Sequence, residues 1–198
     1  MQCDTLVLGI GNVLWADEGF GVRAVDALNE GWSFPEGVTL LDGGTQGLYL
    51  LPLVQSARRL LVFDAIDYGL EPGTLQAARD RDIPSYLGVG KMSLHQSSFQ
   101  EVIALAQLSG QSPDHAVLVG VQPQLLMDFG GSLTEIVRSR IPQAVEIGLG
   151  VLREWGIAAT PRAAGGAGPR PAPSLSMAAY QAGRPRGGGA SRGGPARV

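Results

Sequence analysis

Hydrophobic positions along the chain fall into short blocks separated by turn residues, and their spacing switches between two periods. Residues 5–9 (TLVLG) form a continuous apolar run ending in glycine, the pattern of a strand buried on both faces. Across residues 18–28, Phe20, Val22, Val25 and Leu28 recur at mixed three- and four-residue spacing, which predicts a helix. Residues 38–41 predict a second strand, closed by Asp42-Gly43-Gly44, residues 48–57 a second helix, and residues 59–64 (RLLVFD) a third strand. Gly69 and Pro72-Gly73 mark a turn, after which residues 75–79 are expected to pair back antiparallel. A helix over 97–108, a strand over 116–121 and a long helix over 133–155, interrupted near Pro142, complete the pattern.

Strands alternating with helices in this way predict an α/β fold, with a mostly parallel sheet covered by helices on both faces. In such sheets ligands bind beyond the carboxyl ends of the strands, near the point where the strand order reverses. Glu18 follows the first predicted strand, Asp42 closes the second, Asp64 ends the third, and His95 falls in the loop ahead of the next helix. Each has an ordinary explanation taken alone. Acidic residues at strand ends commonly cap helices or shape turns, and a single histidine is more often a surface or core residue than a ligand. Converging on one edge, Glu18, Asp64 and His95 offer two carboxylates and an imidazole. That donor set suits a borderline divalent ion such as Zn²⁺ or Ni²⁺ and leaves a coordination position open.

Composition narrows the setting. The 198 residues are 44% hydrophobic and 17% charged, as in a globular domain with a full core. A lone cysteine, Cys3, excludes an internal disulfide framework and a multi-cysteine zinc site. With no basic leader and no apolar run long enough to span a bilayer, the expected location is cytoplasmic. The formal net charge of −3 hides an asymmetry, because six arginines and no acidic residue lie between Pro161 and Val198. The nine remaining basic residues face all eighteen acidic ones, so the rest of the chain carries −9 and is a poor match for nucleic acid. The expected division is a domain over 1–157 and a disordered Gly/Ala/Pro/Arg-rich tail over 158–198.

Other catalytic schemes find less support. No H-E-x-x-H occurs. Gly189-Ala190-Ser191-Arg192-Gly193 matches a nucleophile elbow only formally, since no strand precedes it and no helix follows. Gly9-Ile10-Gly11 opens like a dinucleotide fingerprint, but Leu14 stands where the third glycine is needed. Gly90-Lys91-Met92 lacks the other residues of a phosphate-binding loop, so no organic cofactor is expected.

The block from Gly9 to Arg23 (GIGNVLWADEGFGVR) resembles the nickel–iron hydrogenase maturation endopeptidases. Asp42-Gly43-Gly44-Thr45, Phe63-Asp64-Ala65, Ser93-Leu94-His95-Gln96 and Gly120-Val121-Gln122-Pro123 agree with it, and the likeness covers residues 4 to about 156. The resemblance implies a three-layer α/β/α sandwich around a five-stranded sheet. It also implies a metal site formed by Glu18, Asp64 and His95, with Asp42 helping to position the cleaved segment or the metal-bound loop. The implied reaction removes a C-terminal extension from the hydrogenase large-subunit precursor after nickel insertion, the nickel being carried by the precursor. A nickel-binding chaperone that docks without cutting and a small-molecule metallohydrolase are the competing readings. A monomer acting on one large partner is expected.

Overall fold

The computed structural model describes residues 4–83 and 94–162, with side chains from residue 99 onward in the second stretch. The predicted strand at the start is β1 (Thr5–Ile10), all six residues buried. A 3-10 turn, Ala16–Gly19, leads into α1 (Phe20–Gly31). Then come β2 (Trp32–Ser33), β3 (Val38–Gly44), a 3-10 turn over Gly47–Leu50, α2 (Leu51–Ser56), β4 (Arg59–Ala65) and β5 (Leu75–Arg79). After them lie α3 (Leu94–Leu108), β6 (His115–Val121), α4 (Glu135–Arg138), α5 (Ile141–Glu154) and β7 (Thr160–Pro161).

Five strands form one sheet in the order β3-β1-β4-β6-β5. The first four are parallel and β5 runs antiparallel along the edge, as its position after a tight turn predicts. Alternation along β4 shows how the sheet divides its core. Leu61, Phe63 and Ala65 join Val7, Val117 and Val119 beneath α1 and α5, while Leu60 and Val62 join Leu6, Leu8 and Leu118 beneath α2 and α3. Two apolar layers on opposite faces make the fold a three-layer α/β/α sandwich.

The chain goes from β1 outward to β3, then crosses to β4 on the other side of β1. The strand order therefore reverses between β1 and β4, and a crevice opens beyond their carboxyl ends. Close packing brings α1 down onto this crevice. A side chain at Gly21 would collide with the carbonyls of both Phe63 and Ile10, so only glycine lets the start of α1 rest on these two strand ends.

Three expectations need adjustment. His95 is not in a loop, because α3 begins at Leu94 and takes it into the first turn; residues 94–97 hold no Gly or Pro, so the helix extends ahead of the expected start. The long C-terminal helix is two helices, broken at Ser139–Arg140 with Pro142 in the first turn of the second, where its missing N–H costs nothing. The boundary after residue 157 falls short, since Thr160–Pro161 pairs antiparallel with Trp32–Ser33, a two-residue strand too brief to leave a periodic signal. Arg162 extends this attachment, its backbone N–H donating to Gly31 O at 2.8 Å and its Nε to Trp32 O at 2.7 Å. The expected tail from residue 163 onward, Cys3, and the Gly90-Lys91-Met92 and Ser191 motifs lie outside the described residues.

The attachment has a measurable value. At about 0.5–1.5 kcal/mol net per hydrogen bond, less the cost of ordering the strand, a chain ending at residue 157 should be about 1–2 kcal/mol less stable than one ending at 162. Urea unfolding of the two truncated chains tests this, and equal midpoints would show that β7 is passive.

Candidate active site

Strand register places the acidic residues relative to one another. Gly9 of β1 pairs with Asp42 on one side and with Phe63 on the other, so Asp64 lies one residue beyond that level. Neighbouring strands are about 4.8 Å apart, which puts β3 and β4 about 10 Å from each other across β1. Asp42 and Asp64 also face opposite layers. Asp64 alternates with Leu60 and Val62 and points to the layer of α2 and α3, whereas Asp42 shares its face with Gly9, beneath α1. The two carboxylates predicted for one site therefore share an edge but not a face.

Asp64 is 0% exposed, and its Oδ1 accepts the Ala65 N–H at 2.7 Å. Its partner in β6 is Gly120, where a side chain would overlap the Tyr68 hydroxyl, so Gly120 makes room for that ring beside Asp64. Tyr68 is held from below by Gln122, whose Oε1 accepts the N–H groups of Tyr68 and Leu70 at 2.7 and 3.1 Å. Gln122 Nε2 in turn donates to Asp67 Oδ1 at 2.9 Å, closing a staple between the β4 and β6 exit loops.

His95 reaches the same edge by a different route. The segment after α3 comes back to the amino edge, where the Asp114 N–H donates to Arg58 O just ahead of β4. Fifteen helical residues span about 22 Å, so the first turn of α3, with the His95 backbone, lies toward the carboxyl edge. The helix covers the face to which Asp64 points, through Phe99, Val102 and Ala106. His115, the second histidine, opens β6 opposite Arg59 at the amino edge.

Glu18 sits in the 3-10 turn that α1 holds over the crevice, half-buried, with its N–H donating to Trp15 O. The adjacent Asp17 carries an unforeseen role. It is 0% exposed, and its carboxylate accepts four hydrogen bonds: from Gln124 and Leu125 N–H at 2.9 Å each, from Thr134 N–H at 2.7 Å and from Thr134 Oγ1 at 3.1 Å. Asp17 thus ties the loop between β6 and α4 to the turn that bears Glu18. These partners lie 107 to 117 residues away, so no local pattern announces them.

Asp42 belongs to a second electrostatic group. Arg23, on the buried side of α1, bonds Asp26 at 3.3 Å. Loss of hydration raises the Asp42 carboxyl above its usual range although its surface stays open to solvent, and the Gly44 N–H and the Arg23 charge only partly offset this. Burial raises Asp26 as well, with Arg23 opposing and Asp42 adding to the rise. Among the described residues no helix is long and apolar enough to cross a membrane.

Comparison with known proteins gives the family. The family model for hydrogenase maturation protease matches residues 22–151. The chain belongs to that family. It is a peptidase, similar to the hydrogenase expression/formation protein HoxM of Azotobacter vinelandii, with 54% identity over 91% of this chain and 86% of the relative. The hydrogenase 2 maturation protease of Escherichia coli K12 is 41% identical over 80% of this chain and 96% of its own length. The solved structure of the E. coli hydrogenase maturating endopeptidase HybD superposes with a TM-score of 0.76 at 39% identity, covering 80% of this chain and 98% of that one.

Two substitutions probe the local physics. Asp17→Asn replaces one acceptor oxygen by an NH₂ group facing N–H donors and should cost about 2–3 kcal/mol in urea unfolding. A loss below about 0.5 kcal/mol would mean that the loop holds without the clamp. Asp42→Asn should act in the opposite direction. A carboxyl whose folded pKa is raised stabilises the fold most below its unfolded value of about 3.8, and that contribution is lost as pH rises through the folded pKa. The Asn variant should therefore melt slightly higher than the parent at pH 7 and match it near about pH 3.5. Melting curves at the two values decide it.

Proposed function

We propose that this protease removes the C-terminal extension of the nickel–iron hydrogenase large-subunit precursor, and that it recognises the nickel which the precursor already holds. The observation that carries this reading is the buried Asp64 carboxylate at the strand-order reversal, flanked by the Glu18 turn and faced by the helix whose first turn contains His95. The relatives named for hydrogenase maturation supply the substrate class.

In this reading Glu18, Asp64 and His95 are the protein's ligands to the substrate's nickel. Two carboxylates make the crevice anionic, which favours a cation, and a neutral imidazole completes a set suited to nickel. Gripping an ion already bound in the precursor couples cutting to correct metallation, because an empty precursor lacks the third party of the contact. Hydrolysis consumes one water at the scissile carbonyl and releases a carboxylate and an amine. The low-dielectric position of Asp64 strengthens its attraction for the metal relative to a surface carboxylate. Asp42, on the α1 face, acts from outside this ligand set by positioning the departing segment.

Mass spectrometry of the precursor after incubation with the protein tests the whole. Nickel-loaded precursor should lose its C-terminal peptide and nickel-free precursor should not. Cutting of both would remove nickel recognition, and intact precursor in both would favour a chaperone that does not cut. Glu18→Gln and Asp64→Asn should each abolish cleavage with the fold retained. For His95→Ala, calorimetric affinity for Ni²⁺ or Cd²⁺ should fall by more than about 100-fold, since even outer-shell partners of a metal are worth about 10–100-fold. His115→Ala, at the opposite edge, should leave it unchanged.

A further inference from the structure

The loop between β6 and α4 does more than close the edge of the sheet. Asp17 grips it at Gln124, Leu125 and Thr134, and three backbone bonds fasten it to the residues just ahead of Glu18. Leu125 O accepts from Asp17 N–H, Gly131 O from Ala16 N–H, and Leu14 O from Gly130 N–H. Trp15 and Phe129 form an isolated antiparallel bridge, their rings edge to face at a centroid distance of 5.3 Å. A loop tied so firmly has little need of exposed apolar side chains for its own stability. It nevertheless presents Met127 at 80% exposure and Phe129 at 68%, with Leu14 and Leu125 also exposed beside them. Single exposed apolar residues are ordinary, but several on one loop mark an interaction surface.

The position of this lip says what covers it. Leu14 is four residues from Glu18, and Phe129 rests on Trp15, three residues from Glu18. The lip adjoins the turn that bears Glu18, so a polypeptide whose scissile bond lies at that turn has the lip beside it. We propose that Leu14, Met127 and Phe129 form the docking lip for the polypeptide substrate, receiving apolar side chains of the precursor that flank the cleavage point. This inference rests on the reading of the protein as a precursor-processing protease. The clamp then has a functional meaning, since the Asp17 carboxylate sets the spacing between the docking lip and the Glu18 turn. Met and Phe suit this use, the first through its adaptable thioether chain and the second through a flat ring that docks with little loss of freedom.

The test compares full-length protein with the double variant Met127→Ser/Phe129→Ser in cleavage of nickel-loaded precursor. Leu108→Ser serves as the control, since Leu108 is 83% exposed but ends α3 near the opposite edge. The double variant should raise KM at least about 10-fold, keep kcat within about twofold and lower the melting temperature by only a few degrees through loss of the Trp15–Phe129 ring contact, while the control changes none of these. An unchanged KM, or an equal rise in the control, would overturn the docking lip and leave the processing reading intact. A fall in kcat at unchanged KM would do the same, because it would place these side chains at the chemistry. Sedimentation that shows a dimer of the parent dissociated by the double variant would reassign the lip to self-association. A parent protein that leaves the precursor uncut would overturn the processing reading and this inference with it.

Discussion

The Asp17 carboxylate is removed from water and must be satisfied by protein donors, and the donors it finds belong to a loop more than a hundred residues away in sequence. A buried carboxylate left unpaired would be costly, so the clamp is close to obligatory once the 3-10 turn has formed. Its effect is to make two loops from different strands into one rigid body. Glu18 is carried on that body by the adjacent residue, and the exposed side chains of Met127 and Phe129 are carried on its other end. The position of the Glu18 turn relative to the loop after β6 is set by this contact.

Glycine contributes the complementary constraint. Gly21 lets α1 settle on the strand ends, bringing the Glu18 turn over the crevice, and Gly120 admits the Tyr68 ring beside Asp64. Around these close approaches the charges are arranged at some cost. Asp26 and Asp42 share the single buried guanidinium of Arg23 and are both harder to ionise than free carboxylates.

The two faces of the sheet divide the labour. The face under α2 and α3 holds Asp64 and receives the start of the helix bearing His95, while the face under α1 and α5 holds Arg23, Asp26 and Asp42. Under the proposed function, a substrate chain crossing the carboxyl edge meets the first group at the bond to be cut and the second at the segment to be released. An apolar lip fixed to the same body orients that chain without adding charge to a crevice already rich in carboxylates.

Period and punctuation alone disclosed the layered architecture, because a parallel strand buried on both faces, as over residues 5–9 or 59–64, leaves a continuous apolar run, and because Pro72-Gly73 marks a turn. They also brought Glu18, Asp42 and Asp64 to one edge of the sheet, since each follows or ends a strand. What they left undetermined was everything set by contacts distant in sequence. The side of the sheet to which Asp42 and Asp64 point follows from the register of β1 against β3 and β4, a two-residue strand at Thr160–Pro161 exists only because Trp32–Ser33 offers it an edge, and Asp17 is a clamp only because a loop 107 residues onward folds over it. Local spacing encodes the period of an element, whereas hydrogen-bond partners across the fold are chosen by three-dimensional packing, and that choice turned a set of acidic residues at strand ends into an active edge with a built-in docking surface.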